Sequence, residues 1–374
     1  MYLTKKLQLK IIEDIMIKKV YEDSVNYFQV MDENGVIDKS QMSNYIDDSK
    51  ITEMYKWMSL TRAADSKVIS LQRQGRAVTY GPSVGEEATQ VGSAMAMAPK
   101  DILVPNFRQH GSYFVRGLPL YNFFLYWKGY EERMDGTKAI NATPYTVPVA
   151  TQLLHAVGLA FGQKYLKTDA NVLTYVGDGG TSEGNFYEAL NFAGELKLPI
   201  VFIIENNQWA ISTPVSKQTA ASTLAQKAIA AGFKGVQVDG NDPLAVFKAT
   251  HDALENADEG PMLIESITYR LSFHTTSDDP TKYRTEAEVD EWLKKDPLKR
   301  VRTYLEKKGL WNESRQEVMD AENAKRINEA VEKSEQFKPN PKTIFENIYS
   351  FMPDTLKDEE DAAINSGFWQ QGSY

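Results

Sequence analysis

The chain has 374 residues, 42% hydrophobic and 25% charged, enough for one large core or two closely joined domains. Its net charge of −9, with acids spread along the chain, leaves no basic stripe for nucleic acid. With no cysteine, disulfides, thiolate metal sites and a cysteine nucleophile are excluded, and a cytoplasmic location is expected.

Leu7 to Val20 sets Ile11, Ile12, Ile15 and Met16 among Lys10, Glu13, Asp14, Lys18 and Lys19. This predicts an amphipathic surface helix and neither a signal peptide nor a membrane span. Tyr27 to Val30 and Val36-Ile37 flank Asp32-Glu33-Asn34-Gly35, a hairpin signal, so residues 1–50 are predicted as an extension of helix and hairpin. From Ile51 to Gly75, Met54, Trp57, Met58, Ala64, Val68 and Leu71 recur at helical spacing, ending at a glycine. The run Leu118, Leu120, Tyr121, Phe123, Phe124, Leu125, Tyr126 and Trp127 is too continuously apolar for a solvent-facing helix. It is expected either to face another subunit or to belong to the core.

From Asn171 a regular alternation begins. Strands are predicted near 172–176, 200–205, 235–238 and 262–268, separated by helices over 185–197, 219–231 and 243–256. That order implies an α/β fold, a parallel sheet with right-handed crossovers and helices on both faces, over residues 51–285. Asp239 and Asp242 are expected to cap the helix that follows them. Residues 286–374 read as a helical C-terminal region and tail, with Trp292, Leu298, Val301, Tyr304 and Leu305 as a supporting apolar stripe.

The chemistry gathers where these strands end. Gly177-Asp178-Gly179-Gly180 follows one strand and Asn206-Asn207 follows the next, so a helical crossover would bring Asp178 and Asn207 to the ligand edge of the sheet. A carboxylate, an amide oxygen and a backbone carbonyl suit Mg²⁺ or Ca²⁺, whose remaining ligands are usually phosphate and water. Gly179 and Gly180 let the backbone pass near a phosphate, and the helix opening near Asn185 aims free N–H groups at it. His274 falls on a loop at the same edge, where pattern alone leaves a surface role and a ligand-facing role open.

Gly-Asp-Gly followed about thirty residues later by Asn-Asn resembles the thiamine-diphosphate motif. Gly177 to Lys197, Asn206 to Pro214 and Lys217-Gln218-Thr219 resemble the alpha subunit of the decarboxylating component of 2-oxoacid dehydrogenase complexes. The similarity spans roughly residues 50 to 312 and implies the thiamine-diphosphate-binding fold.

Residue by residue, the resemblance implies Mg²⁺ held by Asp178, Asn207 and the carbonyl of Trp209, where the family more often has tyrosine or phenylalanine. Arg108 would meet the cofactor diphosphate with Phe107 beside it, a position usually tyrosine. Val147 and Val149 would meet the pyrimidine through their backbone. Some branched-chain members bind K⁺ at the positions of Thr146, Pro148, Thr151 and Gln152. His274 would face cofactor and substrate, donating to developing charge. The loop Thr275-Thr276-Ser277 matches a mobile active-site loop that carries a phosphorylated serine in some relatives.

In two-chain members the glutamate that meets the aminopyrimidine comes from a beta subunit. The implied assembly is two alpha and two beta chains, serving a lipoyl acyltransferase core and acting on a small 2-oxoacid. Gly117 to Tyr121, Lys295 to Arg300 and Lys308 to Trp311 are most similar to bacterial pyruvate dehydrogenase alpha chains, whereas Gly85 to Ala94 and Arg116 are similar to branched-chain members. A non-catalytic diphosphate-binding module is the competitor from another class. A Rossmann dinucleotide site lacks its Gly-x-Gly-x-x-Gly.

Overall fold

The computed structural model describes residues 20–346 and 348–367. The helix predicted from Leu7 falls outside them, apart from Val20. Six strands, β1 (Asn26–Phe28), β2 (Ile102–Val104), β3 (Val172–Gly177), β4 (Ile200–Asn206), β7 (Lys234–Asp239) and β8 (Met262–Ile267), form one sheet in the order β1-β7-β8-β4-β3-β2. Every pairing in it is parallel. A separate two-stranded hairpin, β5 (Trp209–Ala210) and β6 (Thr213–Pro214), follows β4.

Parallel strands are covered on both faces, which is why β3 and β4 read as unbroken apolar runs. Val172, Val176, Ile200, Phe202 and Ile204 pack on one side with Leu153 and Val157, and with Phe186 and Leu190. Leu173, Tyr175, Val201 and Ile203 pack on the other with Val246, Tyr113 and Phe123. The main helices are α1 (Asp48–Arg73), α2 (Glu87–Met95), α3 (His110–Arg116), α4 (Leu120–Tyr126), α5 (Thr151–Leu166), α6 (Gly184–Glu195), α7 (Pro243–Glu255), α8 (Glu286–Leu293), α9 (Pro297–Lys307), α10 (Glu313–Glu335) and α11 (Asp354–Ser366). Helices α5 and α6 cover the first face; α2, α3 and α7 lie toward the second. Among the described residues no helix is long and apolar enough to cross a membrane.

Three local expectations are corrected and one open alternative is decided. The Asn34-Gly35 turn forms, with Gly35 at φ +69°, but it closes only a single Met31–Ile37 bridge. Tyr27 instead pairs in parallel with Gln237 at the open edge of β7. No continuous helix spans 219–231: four-residue turns occur at Val215–Gln218 and Lys227–Ala230. Between them the buried Glu265 carboxylate accepts the backbone N–H groups of Leu224 and Ala225, at 2.8 and 2.9 Å, where a helix would need them internally.

The apolar run from Leu118 to Trp127 is core and not a subunit surface. Phe123, Phe124 and Leu125 are at most 1% exposed, packed by ring contacts such as Phe114–Phe123 at 5.0 Å. Helix α10 packs on α4 from within the same chain. Finally, Asp242 caps α7 by accepting from Leu244 N at 3.0 Å, but Asp239 does not; it pairs with Arg300 of α9 at 2.7 Å.

Candidate active site

At the end of β3 the chain turns through one 3₁₀ segment, Gly179–Ser182, before α6. Asp178 is 3% exposed and its Oδ2 accepts from Gln218 Nε2 at 2.8 Å. Burial pushes its carboxyl up to about 6. The two glycines are required by packing as well as by any ligand. A Cβ on Gly179 would lie 2.5 Å from the Ala210 Cβ, and one on Gly180 would lie 2.4 Å from Val176 Cγ2.

At the end of β4 the two asparagines part company. Asn206 donates to Glu265 Oε1 at 2.8 Å, inside the sheet. Asn207 donates from Nδ2 to Glu86 Oε1 at 3.0 Å, while its Oδ1 accepts from Trp209 N at 3.2 Å. The Trp209 carbonyl accepts from Arg270 Nη1 at 3.0 Å, and its indole Nε1 donates to Glu288 on α8 at 2.9 Å. Ile211, a β-branched residue at φ +53°, is a backbone outlier held in place by Arg270 Nη2 on its carbonyl at 2.7 Å.

The loop after β8 carries His274. Its Nδ1 lies 3.2 Å from Arg108 Nη2 and 3.2 Å from Arg270 Nη1. A guanidinium only donates, so Nδ1 is the acceptor and Nε2 carries the proton. Burial, then the two arginines, push the imidazole down to about 3, so it is neutral near pH 7. Arg108 also donates to Pro82 O at 2.5 Å and to His274 O at 3.0 Å, with the Phe107 ring 5.1 Å from its Cζ.

Two buried acids complete the floor. Glu86 is 1% exposed, with the Arg108 Nε 3.8 Å from its Oε1. Glu205 is 2% exposed and accepts from Gln109 Nε2. Burial raises the carboxyls of both, and their mutual repulsion adds to the rise in Glu205.

A cavity of about 470 Å³ opens at this carboxyl edge of the sheet. Phe107, Arg108, Val149, Asp178, Gly179, Gly180, Asn207, Trp209 and His274 all line it, so nearly every predicted position converges on one space. Val147 is exposed and is not among the lining residues. Nearby, Gln152 is buried; its Nε2 donates to Tyr175 O at 2.6 Å and its Oε1 has no protein partner. Glu86, Glu205, Ile211 and Gln218 also line the cavity, and Arg270 braces it, yet sequence reasoning assigned none of them a role. No short-range motif marks a buried carboxylate, but Glu205 in an otherwise apolar strand was a usable signal.

A family model described as dehydrogenase E1 component matches residues 55–342. Three relatives bear the name pyruvate dehydrogenase E1 component subunit alpha. The Staphylococcus aureus protein is 43% identical over 349 residues, 91% of this chain and 94% of the relative. The Acholeplasma laidlawii protein is 43% identical over 333 residues, 88% and 96% of the two chains. That of Bacillus subtilis is 42% identical over 338 residues, 89% and 91%. With similarity running through every strand and loop that frames the cavity, the chain belongs to the dehydrogenase E1 component family.

Proposed function

We propose that this chain is the alpha subunit of the decarboxylating component of a 2-oxoacid dehydrogenase complex, and that its substrate is pyruvate, decarboxylated oxidatively with reductive acylation of a lipoyl group. The observation that carries this reading is the convergence of Asp178, Asn207, Trp209, Arg108 and His274 on one cavity. The names of its relatives favour pyruvate over the branched-chain alternative.

The donor set fits a hard divalent ion: one carboxylate, one amide oxygen and one main-chain carbonyl favour Mg²⁺ completed by diphosphate oxygens and water. Among the described residues no group of three acids or histidines offers a competing metal site. The partnerless Gln152 Oε1 suits a K⁺ held with Thr146, Pro148 and Thr151. Thiamine diphosphate, when bound, supplies the nucleophile for the keto carbon and the electron sink for loss of CO₂. The chain's own residues do the rest. Arg108 neutralises diphosphate charge, with Phe107 packed against its guanidinium. Val149, which lines the cavity, would meet the pyrimidine through its backbone; Val147, outside the lining residues, would reach it only by moving inward. His274, held as the Nε2–H tautomer, donates toward charge developing on the substrate.

A second chain completes the site. Helices α5 and α6 expose Leu154, Phe161, Tyr165, Tyr187 and Phe192, and a Cβ at Gly158 or Gly162 would meet nothing within 4 Å. Such an exposed apolar face, with open space over its glycines, suits close approach of the beta subunit in a cytoplasmic two-alpha, two-beta enzyme that docks on a lipoyl acyltransferase core. The test is kcat/KM with the beta chain present, for pyruvate against 3-methyl-2-oxobutanoate. Preference for pyruvate by about tenfold or more is expected. The reverse preference selects the branched-chain reading, and no decarboxylation of either selects a binding module.

A further inference from the structure

Asn207 can offer a metal its oxygen only if its amide faces the right way, because a flipped amide would present two N–H donors to a cation. Two contacts set that orientation. Trp209 N–H, which can only donate, meets Oδ1 at 3.2 Å, and Glu86 Oε1 meets Nδ2 at 3.0 Å. The first is long for an N–H bond and rises from a residue two positions along the same chain. The second comes from the turn into α2, a different part of the chain, and is buried.

Glu86 itself is fixed in sequence by Gly85 at φ +100°, where a Cβ would lie 2.2 Å from Tyr269 O. No side chain other than glycine fits there, so the carboxylate is delivered to Asn207 by a backbone wedged against the β8 loop. The neighbouring Glu87 turns away from Asn207: its Oε2 accepts from Arg62 Nη2 and from Gly85 N, both at 2.9 Å, which holds the turn.

We infer that Glu86 is a positioning residue for the metal: its carboxylate holds the Asn207 amide so that Oδ1, not Nδ2, faces the cation. This rests on the Mg²⁺ site proposed above. Glu86 would act on the metal through Asn207; its Oε1 also lies 3.8 Å from Arg108 Nε, so the assay keeps thiamine diphosphate saturating and reads cation affinity separately. Partners of this outer kind typically govern metal affinity by about 10 to 100-fold.

The test uses the enzyme assembled with its beta chain, saturating thiamine diphosphate, and Mn²⁺ as a paramagnetic probe read by electron spin resonance. Glu86→Leu should weaken Mn²⁺ binding by about 10 to 100-fold, whereas Glu86→Gln, which keeps an acceptor oxygen for Nδ2, should stay near the wild type. The decisive variant is the exchange E86Q/N207D, which swaps carboxylate and amide across one hydrogen bond. It should bind Mn²⁺ more tightly than N207D alone, in which two carboxylates face each other. Wild-type affinity in Glu86→Leu overturns the inference, as does a Glu86→Gln as weak as Glu86→Leu. Should Glu86→Leu fail to fold, the exchange decides by itself: no gain over N207D overturns the inference. Asp178→Ala separates the two levels, because unchanged Mn²⁺ binding there defeats the metal site itself.

Discussion

His274 Nδ1 and Arg108 Nη2 lie 3.2 Å apart, with Arg270 Nη1 at the same distance from that nitrogen. The histidine therefore presents a fixed N–H donor and cannot serve as an acid that cycles through imidazolium at neutral pH. Glutamine in its place keeps a donor, whereas alanine keeps none. His274→Ala should lower kcat by about 100 to 1000-fold with cofactor affinity little changed. Steady-state rates beside calorimetry of thiamine diphosphate decide it; a collapse of binding with normal saturated turnover assigns the residue to the diphosphate instead.

The same environment makes a statement about acid. The imidazole is pushed down to about 3 in the folded protein, against about 6.5 in an unfolded chain. The unfolded state then binds the extra proton first, so stability present above about pH 6.5 is lost as the pH falls toward 3. Urea midpoints at pH 7 and pH 5 should therefore differ more in the wild type than in His274→Gln. Equal shifts would contradict the neutral assignment.

Asp178→Ala and Asn207→Ala should each abolish metal-dependent binding of thiamine diphosphate, since the proposed site has few protein ligands to lose. Circular dichroism should remain that of the wild type. Retained cofactor affinity in either variant would remove that residue from the site.

The glycines differ sharply in what they tolerate. Gly179→Ala forces a contact of 2.5 Å with Ala210, while a Cβ at Gly177 meets nothing within 4 Å. The first should cost about 1 to 3 kcal/mol in stability and displace the hairpin that bears the Trp209 carbonyl. The second should change stability by less than about 0.5 kcal/mol. Denaturant unfolding of the pair compares them directly.

Arg300, wholly buried, ties α9 to the end of β7 through Asp239 at 2.7 Å and to Met31 O at 2.9 Å. Arg300→Met should cost about 3 to 5 kcal/mol, because Asp239 would lose its ion-pair partner and be left with two neutral donors, Gln29 Nε2 and Asn241 N–H. Arg300→Met/Asp239→Asn should recover much of that loss, and a double variant no more stable than the single would argue against the charge as the cause.

How much of this was legible in the sequence depends on the range over which each signal acts. β3 and β4 are readable because a strand buried on both faces has few residue types to choose from, and Asp178 and Asn207 are conspicuous as the polar residues that end them. Glu86 and Arg270 carry no such signal; their partners lie 121 and 61 residues away, at Asn207 and Trp209. The run 118–127 is ambiguous in sequence because core and interface demand the same apolar composition. The exposed face of α5 hides for the opposite reason, since Leu154, Phe161 and Tyr165 sit among residues that bury the other side. Over 219–231 helix propensity loses to one acid, Glu265, supplied by a distant strand.

Trp209 is 8% exposed and is the one described tryptophan that lines the cavity, its indole bonded to Glu288. An indole so placed changes emission when its surroundings change polarity. The molecule thus carries its own optical gauge of occupancy, and Trp209→Phe would subtract that signal while leaving the main-chain carbonyl where it is.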